Sequence, residues 1–143
     1  SMTRFEFAST VMRIYEAAGG APVTITARFS DTNDADIQSA ATLGIVNGTG
    51  NGSFSPRGLL TREQAVTMLG RAYALFRDVP ADGAELPYSD AAQIADYAPQ
   101  PVALLTGLGV LSGSGDGMLH PQSKLTREQA LKLAVELLAA LNG

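Results

Sequence analysis

The chain contains no cysteine and no tryptophan, and only one histidine is found among its 143 residues. The absence of cysteine excludes disulfides, thiolate zinc sites and cysteine catalysis. No apolar run approaches 18 residues, so no segment is predicted to insert into a membrane. Ten basic and fourteen acidic residues give a formal net charge of -4. Nucleic-acid binding needs a basic surface, and this chain lacks one.

The remaining composition is that of a globular protein, with 45% hydrophobic and 17% charged residues. This length allows one compact domain with a hydrophobic core, but not two ordinary ones. Ser1-Met2 resembles the remnant of a cleaved tag, so we expect the chain to be a piece of a longer protein.

The sequence repeats itself at an offset of 65 residues. Segments 43–65 and 108–130 share a Leu-Gly pair, a glycine-rich loop, a proline and the string Leu-Thr-Arg-Glu-Gln-Ala. A third, partial copy opens the chain, because Thr3-Arg4-Phe5-Glu6 matches segment 61–64 at an offset of 58. Ordered identity of this kind indicates internal duplication.

These copies predict one domain over residues 1–143 that is built from repeats. Residues 1–20 form the second half of a first repeat, 29–77 form a second repeat, and 88–142 form a third. Segments 19–28 and 78–87 contain glycine, proline and polar residues and are predicted to be connectors.

Each copy carries a signal for the start of a helix. Threonine is followed three residues later by Glu or Gln, the pattern of a capping box, at Thr3/Glu6, Thr61/Gln64 and Thr126/Gln129. Apolar residues then recur at spacings of three and four, which predicts a long helix in each copy. Shorter helices are predicted to end at Gly44 and Gly109, before the glycine-rich loops. The predicted fold is all-α, with three long helices in a bundle, short helices and loops.

The order of these elements resembles the S-layer homology repeat. An aromatic-x-Asp motif (Phe29-Ser30-Asp31 and Tyr88-Ser89-Asp90) precedes a short helix, a glycine-rich loop, Leu-Thr-Arg-Glu and a long helix. The resemblance implies a pseudo-threefold helical bundle. It also implies grooves that bind secondary cell-wall polysaccharides, often pyruvylated, and so hold the parent protein non-covalently on the extracellular bacterial surface, at the cell wall or S-layer.

The family's Thr-Arg motif implies ligand-binding roles for Arg4, Arg62 and Arg127. Each begins a long helix, where the helix dipole disfavours a cation by roughly 0.3–1 kcal/mol. A recurrent arginine there indicates a nearby anion, either the carboxylate of a pyruvate ketal or an internal carboxylate such as Asp31 or Asp90. The residues alone leave both alternatives open.

Four further residues are candidates for the binding site. Asp31 and Asp90 are expected to cap or anchor a turn, with a secondary ligand role implied by the resemblance. Gly48 and Gly113 begin the glycine-rich loops, which could contact a sugar or anion through backbone N–H groups or serve only as turns.

No cofactor, metal site or catalytic set is predicted, so we expect an anchoring module and not an enzyme. The alternative is a protein assembly module without glycan binding. Because the first repeat lacks its front half, self-association through this region is a further expectation.

Overall fold

The computed structural model describes residues 1–79, 86–113 and 115–143. Most of the predicted connector 78–87, and Ser114 in the third repeat's loop, lie outside these ranges. Within them the fold is helical without β-strands, which confirms the all-α prediction. The helices are α1 Arg4–Ala17, α2 Ala35–Thr42, α3 Arg62–Ala74, α4 Pro99–Gly107 and α5 Arg127–Asn142, with one 3₁₀ turn at Ala91–Gln93. None of these is both long and apolar enough to cross a lipid bilayer.

The three long helices begin at the predicted capping boxes. In α1 the Thr3 hydroxyl accepts the Glu6 N–H at 3.1 Å, and Glu6 Oε1 accepts the Thr3 N–H at 3.0 Å. Glutamine replaces Glu6 in the same arrangement in α3 and α5. Gly44 and Gly109 follow α2 and α4 with φ of 81° and 77°, the left-handed conformation that closes a helix.

Helices α1, α3 and α5 contact one another in pairs, while α2 packs on α1 and α4 packs on α3. Side chains such as Phe7, Leu69 and Leu137 are completely buried between them. Each buried side chain of this size contributes roughly 1.5–3 kcal/mol, so this shared core holds the three long helices together.

A closed ring of three backbone hydrogen bonds lies at one end of the bundle. The N–H of Met2 donates to the Leu125 carbonyl, Leu60 donates to Met2, and Leu125 donates to Leu60, each at 3.0 Å. All three side chains are buried, and each residue directly precedes a cap threonine. The sequence suggested that Met2 is part of a tag remnant. In the fold, Met2 instead occupies the position that Leu60 and Leu125 hold in the other two repeats.

The loop of one repeat covers the first turn of the preceding long helix. These turns have N–H groups without partners inside the helix. In α1 and α3 the first two N–H groups donate to carbonyls of the following repeat: Arg4 to Gly58 at 2.8 Å, Phe5 to Pro56 at 3.0 Å, Arg62 to Ser123 at 2.9 Å and Glu63 to Pro121 at 2.9 Å. The starts of α1 and α3 are thereby each covered by the loop that follows.

Candidate ligand-binding cleft

An open cleft of about 350 Å³ lies where parts of all three repeats meet. It is bounded by the start of α1, the second repeat's loop, one face of α3 and a side chain of the third repeat. The lining residues are Arg4, Val46, Asn47, Gly48, Thr49, Gln64, Thr67, Met68, Arg71 and Tyr97.

Arg4 is held at one side of the cleft by the second repeat's loop. Its Nε donates to the Phe54 carbonyl and its Nη2 to the Asn47 carbonyl, both at 3.0 Å, and the guanidinium lies 4.6 Å from the centroid of the Phe54 ring. Burial lowers the pKa of Arg4, and the nearby Tyr97 and Asp31 act in the opposite direction. An arginine remains protonated at neutral pH even so. Two carbonyls use only part of its donor capacity, so N–H groups remain for a ligand.

Arg71 adds a second guanidinium to the same cleft. Its one described hydrogen bond, from Nη1 to the Ile45 carbonyl, is long at 3.5 Å. Among the described residues, neither Arg71 nor Arg4 lies within ion-pair distance of a carboxylate. Two positive charges without a carboxylate in direct ion-pair contact favour a negatively charged ligand.

Tyr97 reaches the cleft from the third repeat and is 44% exposed. Burial is the main cause that raises the pKa of Tyr97, and the negative charge of nearby Glu63 raises it further. Glu63 is itself buried, and it accepts the Ala95 N–H at 2.9 Å and the Gln122 amide at 3.3 Å. Glu63 thus fastens the front of the third repeat to α3 and positions the Tyr97 ring beside the two arginines.

Asp31 and Asp90 anchor the glycine-rich loops. The two oxygens of Asp31 accept the N–H groups of Phe54 at 2.9 Å and Ser55 at 2.8 Å, and these bonds lower its pKa. Asp90 is buried, which acts to raise its pKa, but N–H groups of Leu119 and His120 at 2.8 and 2.9 Å lower it overall. Each aspartate therefore holds its loop as a stabilised carboxylate. Their secondary role toward a ligand remains a prediction.

Gly48 and Gly113 allow these loops to pack closely. A Cβ on Gly48 would lie 2.6 Å from the Ser53 carbonyl oxygen and 3.0 Å from the Phe29 ring. A Cβ on Gly113 would lie 2.9 Å from the Met118 carbonyl oxygen. Gly48 lines the cleft beside Arg4, whereas Gly113 lines a separate shallow depression of the third repeat.

The other two motif arginines have different surroundings. Arg62 is partly buried, and its Nε is enclosed without a hydrogen-bond acceptor in the described part of the chain. Arg127 is 61% exposed and pairs with Glu6, so it has an internal anion. The structure thus places Arg4 in a formed cleft, Arg62 under the third repeat's loop and Arg127 on an open surface.

No group of three metal-ligating His, Cys, Asp or Glu side chains occurs within the described ranges. The single histidine, His120, pairs with Asp116 at 2.9 Å in the third repeat's loop. Asp116 forms hydrogen bonds with the His120 ring and with the Met118 N–H, and both lower the pKa of Asp116.

Sequence reasoning did not select Arg71 or Tyr97. Arg71 repeats as Arg13 in the first copy, but Glu136 takes the place in the third, so the pattern is incomplete. Tyr97 lies in the front of the third repeat, which is longer by six residues and has no counterpart in the second. The recurrence of Arg13 and Arg71 was the available signal.

Comparison with known proteins gives one family match. The sequence profile described as "S-layer homology domain" matches residues 29–66 and 87–131. These segments contain the aromatic-x-Asp motifs, the short helices, the glycine-rich loops and the starts of α3 and α5.

Three curated relatives are similar to nearly the whole chain. An "Amylopullulanase" of Thermoanaerobacterium thermosulfurigenes is 27% identical over 96% of the chain. An "Exoglucanase XynX" of Acetivibrio thermocellus is 26% identical over 100% of it. A "Surface-layer 125 kDa protein" of Lysinibacillus sphaericus is 27% identical over 91% of it. The matched region spans 8%, 13% and 11% of these relatives, respectively, so the similarity concerns one small part of much larger proteins.

Proposed function

We propose a function for this chain from one premise: it belongs to the S-layer homology domain family. Its place is the extracellular bacterial surface, as the family and the surface-layer relative indicate. The proposed function is non-covalent anchoring of a longer protein to the cell wall through binding of an acidic, pyruvylated secondary cell-wall polysaccharide.

The observation that carries this proposal is the cleft with two guanidiniums, neither of which lies within ion-pair distance of a carboxylate among the described residues. Arg4 and Arg71 supply charge-assisted donors, and a carboxylate is a matched acceptor because guanidinium binds it in a bidentate manner. A pyruvate ketal places such a carboxylate on a sugar ring. Tyr97 offers an aromatic face for the apolar side of that sugar.

The pseudo-threefold arrangement belongs to this proposal. The hydrogen-bond ring of Met2, Leu60 and Leu125 and the pairwise contacts of the three long helices support it. We place the repeats at 1–20, 29–77 and 88–142 as predicted. Arg4 then belongs to a formed cleft and Arg62 lies beneath the third repeat's loop. Arg127 begins a helix whose start no loop of the described chain covers.

The chain is proposed to bind and not to catalyse. Two relatives carry enzyme names, yet the matched region covers only 8% and 13% of them. The chemistry of the parent protein is accordingly expected outside this module, and wall attachment would keep that chemistry at the cell surface.

One observation favours the alternative of a protein assembly module. Leu131 and Val135 on α5 are 46% and 66% exposed, and apolar side chains exposed side by side are typical of interaction surfaces. Self-association through the incomplete first repeat, as the sequence analysis expects, remains a prediction. Light scattering over a range of concentrations measures it independently of glycan binding.

Co-sedimentation with protein-stripped bacterial walls tests the anchoring proposal. The chain is compared with Arg71→Gln, and Arg13→Gln serves as the matched control. Arg13 holds the same repeat position but pairs with Asp36 and Glu16 on the surface. Each protein is assayed on untreated walls and on walls from which mild acid has removed the ketals.

Binding to untreated walls that is lost after acid treatment, and lost in Arg71→Gln alone, is the expected result. Since Arg71 makes a single, long hydrogen bond within the described part of the chain, its variant should remain folded, which circular dichroism checks. Equal binding by both arginine variants, or binding that survives ketal removal, would overturn the proposed site.

A further inference from the structure

We propose that Asn51 is a site of spontaneous deamidation, and that the isoaspartyl product loosens the loop that holds Arg4. The reaction needs only water, and neither an enzyme nor a bound ligand takes part. This inference concerns the covalent state of the second repeat's loop, so it stands independently of polysaccharide binding.

An asparagine followed by glycine is prone to this reaction because glycine has no side chain to shield its backbone nitrogen. That nitrogen attacks the Cγ atom of the asparagine side chain, a C–N bond forms, and the side-chain nitrogen leaves as ammonia. Water then opens the resulting succinimide ring at one of its two carbonyls. One opening gives aspartate. The other gives isoaspartate, in which the main chain continues through Cβ and is one carbon longer.

Three Asn-Gly pairs occur in the sequence, at 47–48, 51–52 and 142–143. Asn142 is the last residue of α5, and a helical ψ is incompatible with the succinimide ring. Asn47 and Asn51 lie in the same loop, and both are exposed. Neither the Asn-Gly sequence nor exposure distinguishes these two residues, so their local contacts decide which of them reacts.

Asn51 lies in a turn whose central peptide group is free. Asn51 and Gly52 have φ of 55° and 74° and join the bridged residues Gly50 and Ser53, as in a type I′ hairpin turn. Within the described ranges, the peptide group between Asn51 and Gly52 makes no hydrogen bond through its carbonyl or its N–H, and the Asn51 side chain has no partner. Rotation that brings the Gly52 nitrogen to the side chain therefore breaks no hydrogen bond of this group.

The corresponding peptide group at Asn47 is held on both sides. The Asn47 carbonyl accepts a hydrogen bond from Arg4 Nη2 at 3.0 Å. Gly48 is packed so tightly that a Cβ there would lie 2.6 Å from the Ser53 carbonyl oxygen. Rotation of this group would break the bond to Arg4 and move Gly48 against its neighbours. The structure thus selects Asn51 and protects Asn47.

Aspartate, the first product, is compatible with the loop. It already occupies this repeat position in the third copy, where the Asp116 carboxylate accepts the Met118 N–H at 2.9 Å. The Asn51→Asp variant should therefore keep the loop and its contacts with Arg4. This variant represents deamidation without a change in the length of the main chain.

Isoaspartate, the second product, lengthens the turn by one main-chain atom. The turn is closed by two hydrogen bonds, from the Thr49 N–H to the Ser53 carbonyl at 2.8 Å and from the Ser53 N–H to the Gly50 carbonyl at 3.0 Å. A longer connection between these residues cannot keep both bonds in place. Arg4 donates to carbonyls on both sides of this turn, so the isoaspartyl loop should hold its guanidinium less firmly.

The test follows both loop asparagines in one sample of the unmodified chain, incubated at physiological temperature and mildly alkaline pH in water enriched in oxygen-18. Each hydrolysed succinimide takes up one oxygen atom from the water, so the label marks deamidation that occurs during the incubation. Peptide mapping with electron-transfer fragmentation assigns the label to position 47 or 51 and separates isoaspartate from aspartate. A parallel sample unfolded in guanidinium chloride is the control, because the folded contacts are absent from it.

We expect position 51 to react at least about tenfold faster than position 47 in the folded chain, and the two rates to be similar in the unfolded chain. Similar rates in the folded chain, or no reaction at position 51, would overturn the assignment of the site. The same preference in the unfolded chain would show that the folded contacts do not cause it.

The effect on the loop is measured by nuclear magnetic resonance of the Arg4 Nε–H group. The isoaspartyl form, separated by ion exchange, should exchange this proton at least about tenfold faster than the fresh chain, whereas Asn51→Asp should keep the rate of the fresh chain. An isoaspartyl form with an unchanged Arg4 signal and exchange rate would overturn the proposed loosening. Equal acceleration in Asn51→Asp would overturn it as well, since the added charge and not the longer main chain would then be the cause.

Discussion

Arg4 and Arg127 hold the same position in their repeats, yet Phe54 stacks against Arg4 while Arg127 extends into solvent toward Glu6. The difference arises from the covering loop. At Arg4 the loop supplies two carbonyls and an aromatic face, and these fix the guanidinium beside the cleft. At Arg127 no such loop is present in the described chain, so the same motif residue has no cleft to line.

This contrast predicts that Arg4→Ala and Arg127→Ala lower the free energy of unfolding by different amounts. Loss of Arg4 leaves the carbonyls of Phe54 and Asn47 without donors, which should lower the free energy of unfolding by about 1–3 kcal/mol. Loss of Arg127 removes an exposed ion pair worth about 0–1 kcal/mol. Urea denaturation of the three proteins measures both values, and equal losses would contradict the distinction.

The loop glycine gives a second prediction. Gly48→Ala places a Cβ against the Ser53 carbonyl oxygen and should destabilise the loop beside Arg4, by about 1–3 kcal/mol. Gly107→Ala is the control, because this helical position has open space around it and alanine is favoured there by about 0.5–1 kcal/mol. Thermal melts should therefore shift in opposite directions for the two variants.

The parts of this fold that sequence predicts are those set by local chemistry. The capping boxes at Thr3, Thr61 and Thr126 depend on residues three apart, and Gly44 and Gly109 close helices through their own backbone. Periodicity and repetition therefore locate all of the long helices.

The cleft depends on contacts that no local pattern records. Arg4 is fixed by backbone carbonyls 43 and 50 residues away. Every residue has such a carbonyl, so the sequence does not show which ones will contact Arg4. Tyr97 lies in a segment that the other repeats lack. Glu63, which precedes Tyr97 by 34 residues, positions its ring in the cleft. The duplicated sequence likewise suggested that the three motif arginines have equivalent surroundings. Their surroundings differ because loops cover the three helix starts to different extents.

Glu63 supports a third prediction. Glu63→Gln replaces an acceptor facing the Gln122 amide with a second donor, so we expect a loss of about 1–3 kcal/mol in the free energy of unfolding. Removing the negative charge should also lower the pKa of Tyr97, since Glu63 raises it. Tyrosine resonances followed against pH report the second effect.

Glu128→Gln is the matched control for this variant. Glu128 has the same repeat position as Glu63 but is exposed on α5. Its substitution should change stability by no more than about 0.5 kcal/mol and leave the Tyr97 titration as it is. A Tyr97 pKa that is unchanged in Glu63→Gln would show that Glu63 does not act on the ring.

Glu6 gives the chain a predicted sensitivity to acid. Its pKa is lowered from 4.5 to about 2, first by the Thr3 N–H and then by Arg127. A group whose pKa is lower in the folded state stabilises the fold above its unfolded value and loses that contribution as the pH falls. Stability from Glu6 is therefore complete above about pH 4.5 and decreases toward pH 2.

Glu6→Gln isolates this contribution because Gln64 and Gln129 show that glutamine completes the same capping box. At neutral pH the variant should be less stable by at most about 1 kcal/mol, since the pair with Arg127 is exposed to solvent. Between pH 4.5 and 2 its stability should fall less steeply than that of the parent chain. Asp31, Asp90 and Asp116, whose pKa values are also lowered, account for the slope that remains. Glu16→Gln, which removes an exposed carboxylate paired with Arg13, is the control and should keep the parent slope. If the parent and Glu6→Gln lose stability in parallel over this range, Glu6 does not carry the acid sensitivity, and the loop aspartates are left as its source.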